Sequence, residues 1–444
     1  MTRQEPILYI SRLALDHYRS WNHCVLDLTP GINILQGANG LGKTNIVEAI
    51  EVLSTGLSHR TSSSVPLVQR GEHAATIRAN IESVTDPEPA DDGVNTSADA
   101  VDISDMKPVR QTQTTTLEAT IAARGANRAR INGGQSRYLR EILGTLPTVS
   151  FTPEDQQLVA GDPAVRRSFI NQVASLLIPG YANRLQSFTH VAKQRAALLK
   201  QLGQWQRAGS PIDAALSGLE IWTGQFIEAG VALSRDRQRI IAELNKSFGP
   251  LYARLAGVAV DLPSNAEIQD AAQDGGEQAA VEYVPSFDEI LGTQAPEPLI
   301  SQHFQRIYPG EVSRGVNLIG PQRDDLLVTL NGMPAREFAS NGEMWTLALA
   351  LKMAQYRALC EYFDTRPVVI LDDVFAQLDE SRRTEILRFA AAQDQVLITA
   401  AAESDIPILP ANESTESGEI PVNRIAVADL KRRDEADAER AGEQ

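Results

Sequence analysis

Cysteine is scarce. Cys24 and Cys360 are the two in 444 residues, and neither has a second Cys or a His at ligand spacing. That excludes a disulfide framework and a zinc site, and leaves two reduced core thiols. Long hydrophobic runs are also missing. No stretch of 18 apolar residues occurs, and "MTRQEPILYISRLALDHYRSW" lacks the basic start, apolar core and small-residue cleavage site of a leader. A cytoplasmic location with no membrane partner is the expectation. Basic residues are outnumbered, 41 Lys and Arg against 57 Asp and Glu, for a net charge of −16. Spread evenly, such a balance would discourage a nucleic-acid partner. The acids are not spread evenly: many lie in "DPEPADDGVNTSADAVDISD" (86–105), in "EIQDAAQDGGEQAAVE" (267–282) and in the last sixteen residues. No internal repeat is present.

What is present, 43% hydrophobic residues over this length, suffices for a sizeable core in two or three lobes. Residues 1–82 and 115–150 read as strands with one strong helix. An acidic, aperiodic insertion over 83–113 interrupts them. Apolar residues at helical spacing from Val173 to Leu202 (Tyr181, Leu185, Phe188, Ala192, Leu199) predict a helix, and 213–246 a second one packed against it. Strands and helices alternate again from Asn317. This predicts lobe I at 1–172, a helical arm at 173–310, the second part of the same lobe at 311–402 and a mobile tail at 403–444.

The stretch "INILQGANGLGKTNIVEAI" places Gly37, Ala38, Asn39, Gly40, Leu41, Gly42, Lys43 and Thr44 between a short strand and a helix. Glycines in that position let consecutive backbone N–H groups curl around a polyphosphate at the positive end of a helix. Lys43 would reach the β- and γ-phosphates of ATP, and the Thr44 hydroxyl would ligate magnesium. A capped Gly-rich turn is the bland alternative, and the flanking strand and helix argue against it.

A second metal carboxylate is offered by "PVVILDDVFAQLDE". Four apolar residues, Val368 to Leu371, form a buried parallel strand ending at Asp372, the magnesium ligand of a Walker B motif, while Asp373 is placed to polarise the attacking water. Upstream, "EFASNGEMWTLALALKMAQYRAL" carries Ser340, Gly342 and Glu343 at the start of a helix. Ser340 and Glu343 also match an ordinary capping box. Their place one helix before the Asp372 strand is that of the signature motif of ABC-type ATPases. "AQLD", ending at Asp379, resembles a D-loop, and Thr399 ends the next strand where such ATPases carry their switch residue. The fold class is therefore α/β: an ABC-type P-loop head with an inserted helical arm domain. A signature closing over ATP on another subunit implies a homodimer.

Most of the chain separates the phosphate loop from the signature. Transporter ATPases are shorter, and SMC-type ATPases fill that gap with hundreds of coiled-coil residues, whereas this chain inserts only short helices. Together with "LALDHYRSW", "LSHRT", "FTPEDQQLVAGDPAVRRSFIN", "GPQRDDLLVTLNG" and "ILDDVFAQLDE", in order and spacing over most of residues 8–400, the sequence resembles the RecF family of bacterial recombination mediators. The resemblance implies an ATP-dependent DNA-binding protein that dimerises on ATP and binds gapped or junction DNA, single-stranded beside duplex. It implies that the protein acts with RecO and RecR to help load RecA, and that it hydrolyses ATP weakly, under DNA stimulation, as a dimerisation switch. Gln322, Asn171 and Trp345 depart from the family pattern, where His, Asp and Arg are usual.

DNA contact is expected from local basic patches: Arg128, Arg130 and Arg137 within "ARGANRARINGGQSRYLR", and Arg166 with Arg167. For any single arginine, a solvated face is the competing reading. By position, Tyr18 and Arg19 are placed near adenine or ribose, and Arg60 near the γ-phosphate. Two other readings stand beside this one: an ABC-type ATPase coupled to another partner, and a nucleotide-bound scaffold with little turnover.

Overall fold

The computed structural model describes residues 6–61, 63–85, 111–208, 213–257, 278–378, 380–402 and 422–442. Two compact units result: residues 1–152 with 359–444, and residues 153–358. The acidic stretch 86–110, residues 258–277, Asp379 and residues 403–421 lie outside the described residues.

The first unit opens with an antiparallel hairpin, β1 (Ile7–Tyr18) and β2 (Trp21–Asp27), followed by β3 (Gly31–Gln36), helix α1 (Lys43–Thr55), β4 (Ala74–Thr85), β5 (Gln111–Ala122), β6 (Arg128–Ile131), β7 (Arg137–Tyr138) and β8 (Thr148–Phe151). Six of these strands form one antiparallel sheet in the order β2-β1-β4-β5-β6-β7. Its strands alternate: Leu13, Leu15, Ile77, Ala79, Leu117 and Ala119 face the core, while polar residues face water. On the outer face, ion pairs run across five strands, from His23 to Asp16, Arg78, Glu118 and Arg130. α1 is buried along most of its length, with Ile46, Val47, Ala49, Ile50 and Leu53 in the core against this sheet.

The second unit contains α2 (Gln157–Ala160), α3 (Pro163–Leu177), α4 (Tyr181–Arg207), α5 (Asp213–Leu255), β9 (Ala279–Val284), α6 (Glu297–Arg314), β10 (Asp325–Leu330), β11 (Met333–Pro334), α7 (Ala335–Phe338) and the greater part of α8 (Asn341–Phe363). Helices α4 and α5 pack against each other as expected, with Phe188 and Phe226 at 5.0 Å between ring centres. The helix expected over 173–202 is interrupted at residues 178–180, between α3 and α4, and the one expected over 213–246 runs on to Leu255. Buried Arg195 pairs with buried Glu311, and Arg237 with Asp324. These two pairs tie the helices to one another and to the turn before β10.

The chain then returns to the first unit with β12 (Val368–Asp372), α9 (Glu380–Ala391), β13 (Gln395–Ala400), β14 (Val422–Ala426) and α10 (Val427–Gly442). A five-stranded parallel sheet has the order β14-β3-β13-β12-β8. Its central strands β12 and β13 are buried throughout, as their near-continuous apolar runs require.

The boundaries expected at residues 172, 310 and 402 differ from this division. Residues 153–172 and 311–358 group with the helices, because Arg166 of α3 is bonded to Asp325 of β10, and β10 pairs with β9. Residues 422–442, expected to be a mobile tail, form β14 and α10. Val427 and Asp434 are buried there, and β14 pairs with β3. Among the described residues no helix is long and apolar enough to cross a membrane.

Candidate nucleotide-binding site

Strand β3 delivers the loop Gly37–Gly42 to the N-terminus of α1. Gly40 and Gly42 adopt left-handed backbone at φ 86° and 94°, which a side chain would resist. Ala38, Asn39 and Gly40 are exposed, so the loop opens to solvent. Lys43 is not: only 4% of it is accessible. Its Nζ donates to Gly37 O at 2.6 Å, Ala38 O at 3.3 Å and Asn39 Oδ1 at 3.3 Å, and among the described residues it has no carboxylate partner. A buried ammonium held only by neutral oxygens is a position that a negatively charged partner would stabilise.

The parallel sheet brings the remaining groups beside it. β12 ends at Asp372 and β13 carries Thr399 in register with it. The Thr399 hydroxyl donates to Asp372 Oδ1 at 2.6 Å, and Thr44 Oγ1 donates to the same oxygen at 3.2 Å. Burial, more than any other influence, raises the Asp372 carboxyl above its ordinary value, and neighbouring Asp373 adds to this. Asp373 turns out of the strand in left-handed backbone at φ 51°, and its N–H donates to Thr399 Oγ1 at 3.0 Å. The Thr44 hydroxyl and the Asp372 carboxylate together present two oxygen donors. That set fits a hard cation such as magnesium, which takes one or two protein oxygens and completes its shell with water and phosphate.

Arg60 stands beside the first turns of α1, donating to Asn45 Oδ1 at 2.9 Å and lying 3.5 Å from Glu48. Arg19 is bonded twice to buried Glu48. Tyr18 is wholly buried, so its ring belongs to the core and is not open to a base. Sequence reasoning missed Glu48, Glu51, Trp21 and Ser20. Glu48 accepts from Ser58 and Arg19, and Glu51 bonds His59 at 2.5 Å. Two acids in the otherwise apolar run "NIVEAIEVL" are the signal that could have found the first pair: buried carboxylates require nearby cations. Cys24 fits the reading of a core thiol, with burial pushing it up to about 12.

In the second unit, Ser340 and Glu343 form the capping box of α8. Glu343 N donates to Ser340 Oγ at 3.3 Å and Ser340 N to Glu343 Oε2 at 2.6 Å, which holds the Glu343 carboxyl below its ordinary value. The Thr346 hydroxyl bonds Gly342 O. Ser340 is exposed, as is Phe338 at 61%. The turn is thus a hydrogen-bonded helix cap with its outer side open. At the departures from the family pattern, Asn171 Oδ1 accepts from Tyr181 and Arg237, Gln322 donates to Ile319 O while its Oε1 is buried without a hydrogen-bond partner, and Trp345 is buried.

The arginines divide. Arg166 is buried, with two bonds to Asp325 and one to Gly161 O, and so is withdrawn from any DNA surface. Arg167 donates to Asp324 O, and burial lowers its guanidinium below its ordinary value. Arg130 stands 3.7 Å from Glu118. Arg128 and Arg137 are exposed at the β6–β7 edge, where Arg128 and Arg140 lie 4.4 and 4.0 Å from the Tyr138 ring centre.

A family model described as the RecF/RecN/SMC N terminal domain matches residues 9–407. The DNA replication and repair protein RecF of Bifidobacterium adolescentis is 61% identical over 90% of this chain and 89% of its own length. The protein of that name from Beutenbergia cavernae is 36% identical over 90% and 95%. Among solved structures, one described as the recombination mediator protein RecF-ATPrS in the RecFOR pathway superposes with a TM-score of 0.72 at 23% identity, covering 96% of this chain and 98% of that one. With a phosphate loop, a buried carboxylate at the end of a parallel strand and relatives matched along nine-tenths of its length, the chain belongs to the RecF family of DNA replication and repair proteins.

Proposed function

We propose that the protein binds ATP with magnesium at the Gly37–Thr44 loop in the cytoplasm. It then closes as a two-fold dimer on gapped or junction DNA, where it acts with RecO and RecR to help load RecA. The observation that carries the nucleotide part is buried Lys43, whose ammonium has three neutral oxygens and no carboxylate among the described residues. Phosphate oxygens would replace those weak acceptors with charged ones. Thr44 and Asp372 would hold magnesium, which supplies charge neutralisation on the β- and γ-phosphates. Asp373, fixed by Thr399, would accept the proton of the attacking water, and Ser340 and Gly342 of the partner's signature turn would cover the γ-phosphate.

DNA binding rests on the exposed arginine edge around Tyr138 and on the kinship with DNA replication and repair proteins. Contact mainly to phosphates predicts that log affinity falls with log salt by about 0.9 per contact on duplex. The deciding experiment measures binding to gapped, duplex and single-stranded DNA with and without ATP, for the natural protein and Lys43→Ala. ATP-dependent binding lost in the variant supports the reading. Binding that ignores ATP favours a nucleotide-bound scaffold, and no DNA binding at all favours an ATPase coupled to another partner.

A further inference from the structure

The phosphate loop is bounded at both ends by contacts that lie outside the nucleotide motifs. At its start, a Cβ on Gly37 would lie 3.3 Å from Val427 Cβ, at the first residue of α10. At its end, Trp21 Nε1 donates to Gly42 O at 3.3 Å, and a Cβ on Gly42 would fall 2.9 Å from both Trp21 Nε1 and Ser20 Oγ. The tip of the β1–β2 hairpin is therefore seated against the last glycine of the loop.

That tip is held from α10. Lys431 Nζ donates to Ser20 O at 2.7 Å and to Asp434 Oδ2 at 2.6 Å, and stands 4.8 Å from the Trp21 ring centre. Asp434, itself buried, accepts His23 N–H at 2.7 Å and Asn22 Nδ2 at 3.4 Å. Ser20 Oγ in turn accepts from Asn45 of α1, the residue that Arg60 bonds.

The chemistry of the peptide gives these contacts a consequence. Gly42 C=O and Lys43 N–H share one trans peptide and point in opposite directions. Fixing that carbonyl against the indole and the Ile46 N–H fixes the direction of Lys43 N–H, a donor the phosphate loop needs. Lys431, bonded to Ser20 O and standing over the Trp21 ring, is one of the contacts that keep the indole there.

We propose that Trp21 and Lys431 are positioning residues of the nucleotide site, and that the segment β14–α10 thereby sets the affinity of the phosphate loop for a nucleoside triphosphate. The proposal rests on the nucleotide reading above. The test is equilibrium titration of the full chain with a ribose-labelled fluorescent ATP and magnesium, alongside the ligand-free melting temperature. Lys431→Met is expected to weaken binding about fivefold, with Lys431→Arg restoring most of it. Trp21→Phe keeps an aromatic ring, though a smaller one, and loses the indole N–H; it is expected to weaken binding similarly, which keeps the test alive if Lys431→Met does not fold. Affinities of Lys431→Met and Trp21→Phe within about twofold of the natural protein would overturn the proposal, as would Lys431→Arg binding no better than Lys431→Met. Failure of the natural protein to bind the probe would overturn the nucleotide reading instead.

Discussion

Thr399 and Asp372 stand in register on neighbouring parallel strands, and a single Thr399 hydroxyl donates to Asp372 Oδ1 while accepting the Asp373 N–H. One side chain thus holds the Asp372 carboxylate and the Asp373 backbone at the end of β12. Thr399→Val keeps the shape and removes both bonds. Hydrolysis of ATP is expected to fall about 10- to 100-fold, the usual cost of losing an outer partner of a metal ligand, with nucleotide affinity little changed. Turnover at the natural rate would remove Thr399 from the site's working parts.

Asp372 itself should weaken the empty fold. Its carboxyl is raised above the ordinary value, chiefly by burial, so the folded chain holds that proton more firmly than the unfolded one. The stabilisation from the protonated group is present at low pH and is lost as pH rises from the ordinary carboxylate value through the raised one. Asp372→Asn stays neutral throughout. Without ligand it is expected to melt at or above the natural protein at neutral pH, the gap closing in acid, yet to gain nothing from magnesium and ATP together. Calorimetry at several pH values checks this, and a variant that melts lower at neutral pH would contradict it.

The two kinds of arginine should part under mutation. Arg166→Ala leaves Asp325 without its bidentate partner and is expected to cost about 3 kcal/mol of stability. Arg137→Ala should change stability by less than about 0.5 kcal/mol. It should also lower the slope of log affinity against log salt for duplex DNA by about 1. Denaturant melts and salt titrations on both variants decide it; an unchanged salt slope for Arg137→Ala would remove that residue from the DNA surface.

If ATP lies between one subunit's loop and the partner's signature, lesions in the two should complement. Ser340→Arg fills the signature side with a bulky cation, and Lys43→Ala empties the loop. Each homodimer is expected to be inactive. A mixed dimer joins one intact loop to one intact signature, so mixing should restore up to about half the activity of a natural dimer if the sites act independently. A monomeric Ser340→Arg variant hydrolysing normally would rule out a shared site.

The nucleotide motifs were legible because each is local. Glycines at 37, 40 and 42 between an apolar strand and an apolar helix announce their geometry, and four apolar residues before Asp372 announce a buried parallel strand. What escaped depends on distant pairing. β14 reads "VNRIA", with residues alternately exposed and half-buried at the sheet's edge, so it offers no apolar run. Arg166 looked like a surface cation because its partner Asp325 lies 159 residues away. Tyr18 carries a polar tip, yet its position opposite Trp21 in the hairpin turns it into the core. Charge and polarity tell what a side chain needs, and only the fold tells where the need is met.

The neighbours of β3 give the sheet a history in time. The strand that ends in the phosphate loop pairs on one side with β13 and on the other with β14, and Ile10 of β1 donates its N–H to Gln395, 385 residues further along. As the chain leaves the ribosome, β3 therefore has no partner until nearly all of the protein has been made. Until then its run of buried apolar residues presents two open edges, the kind of surface that chaperones and proteases find first. Competence to hold a nucleotide arrives late in synthesis, and a chain cut short before β13 cannot acquire it.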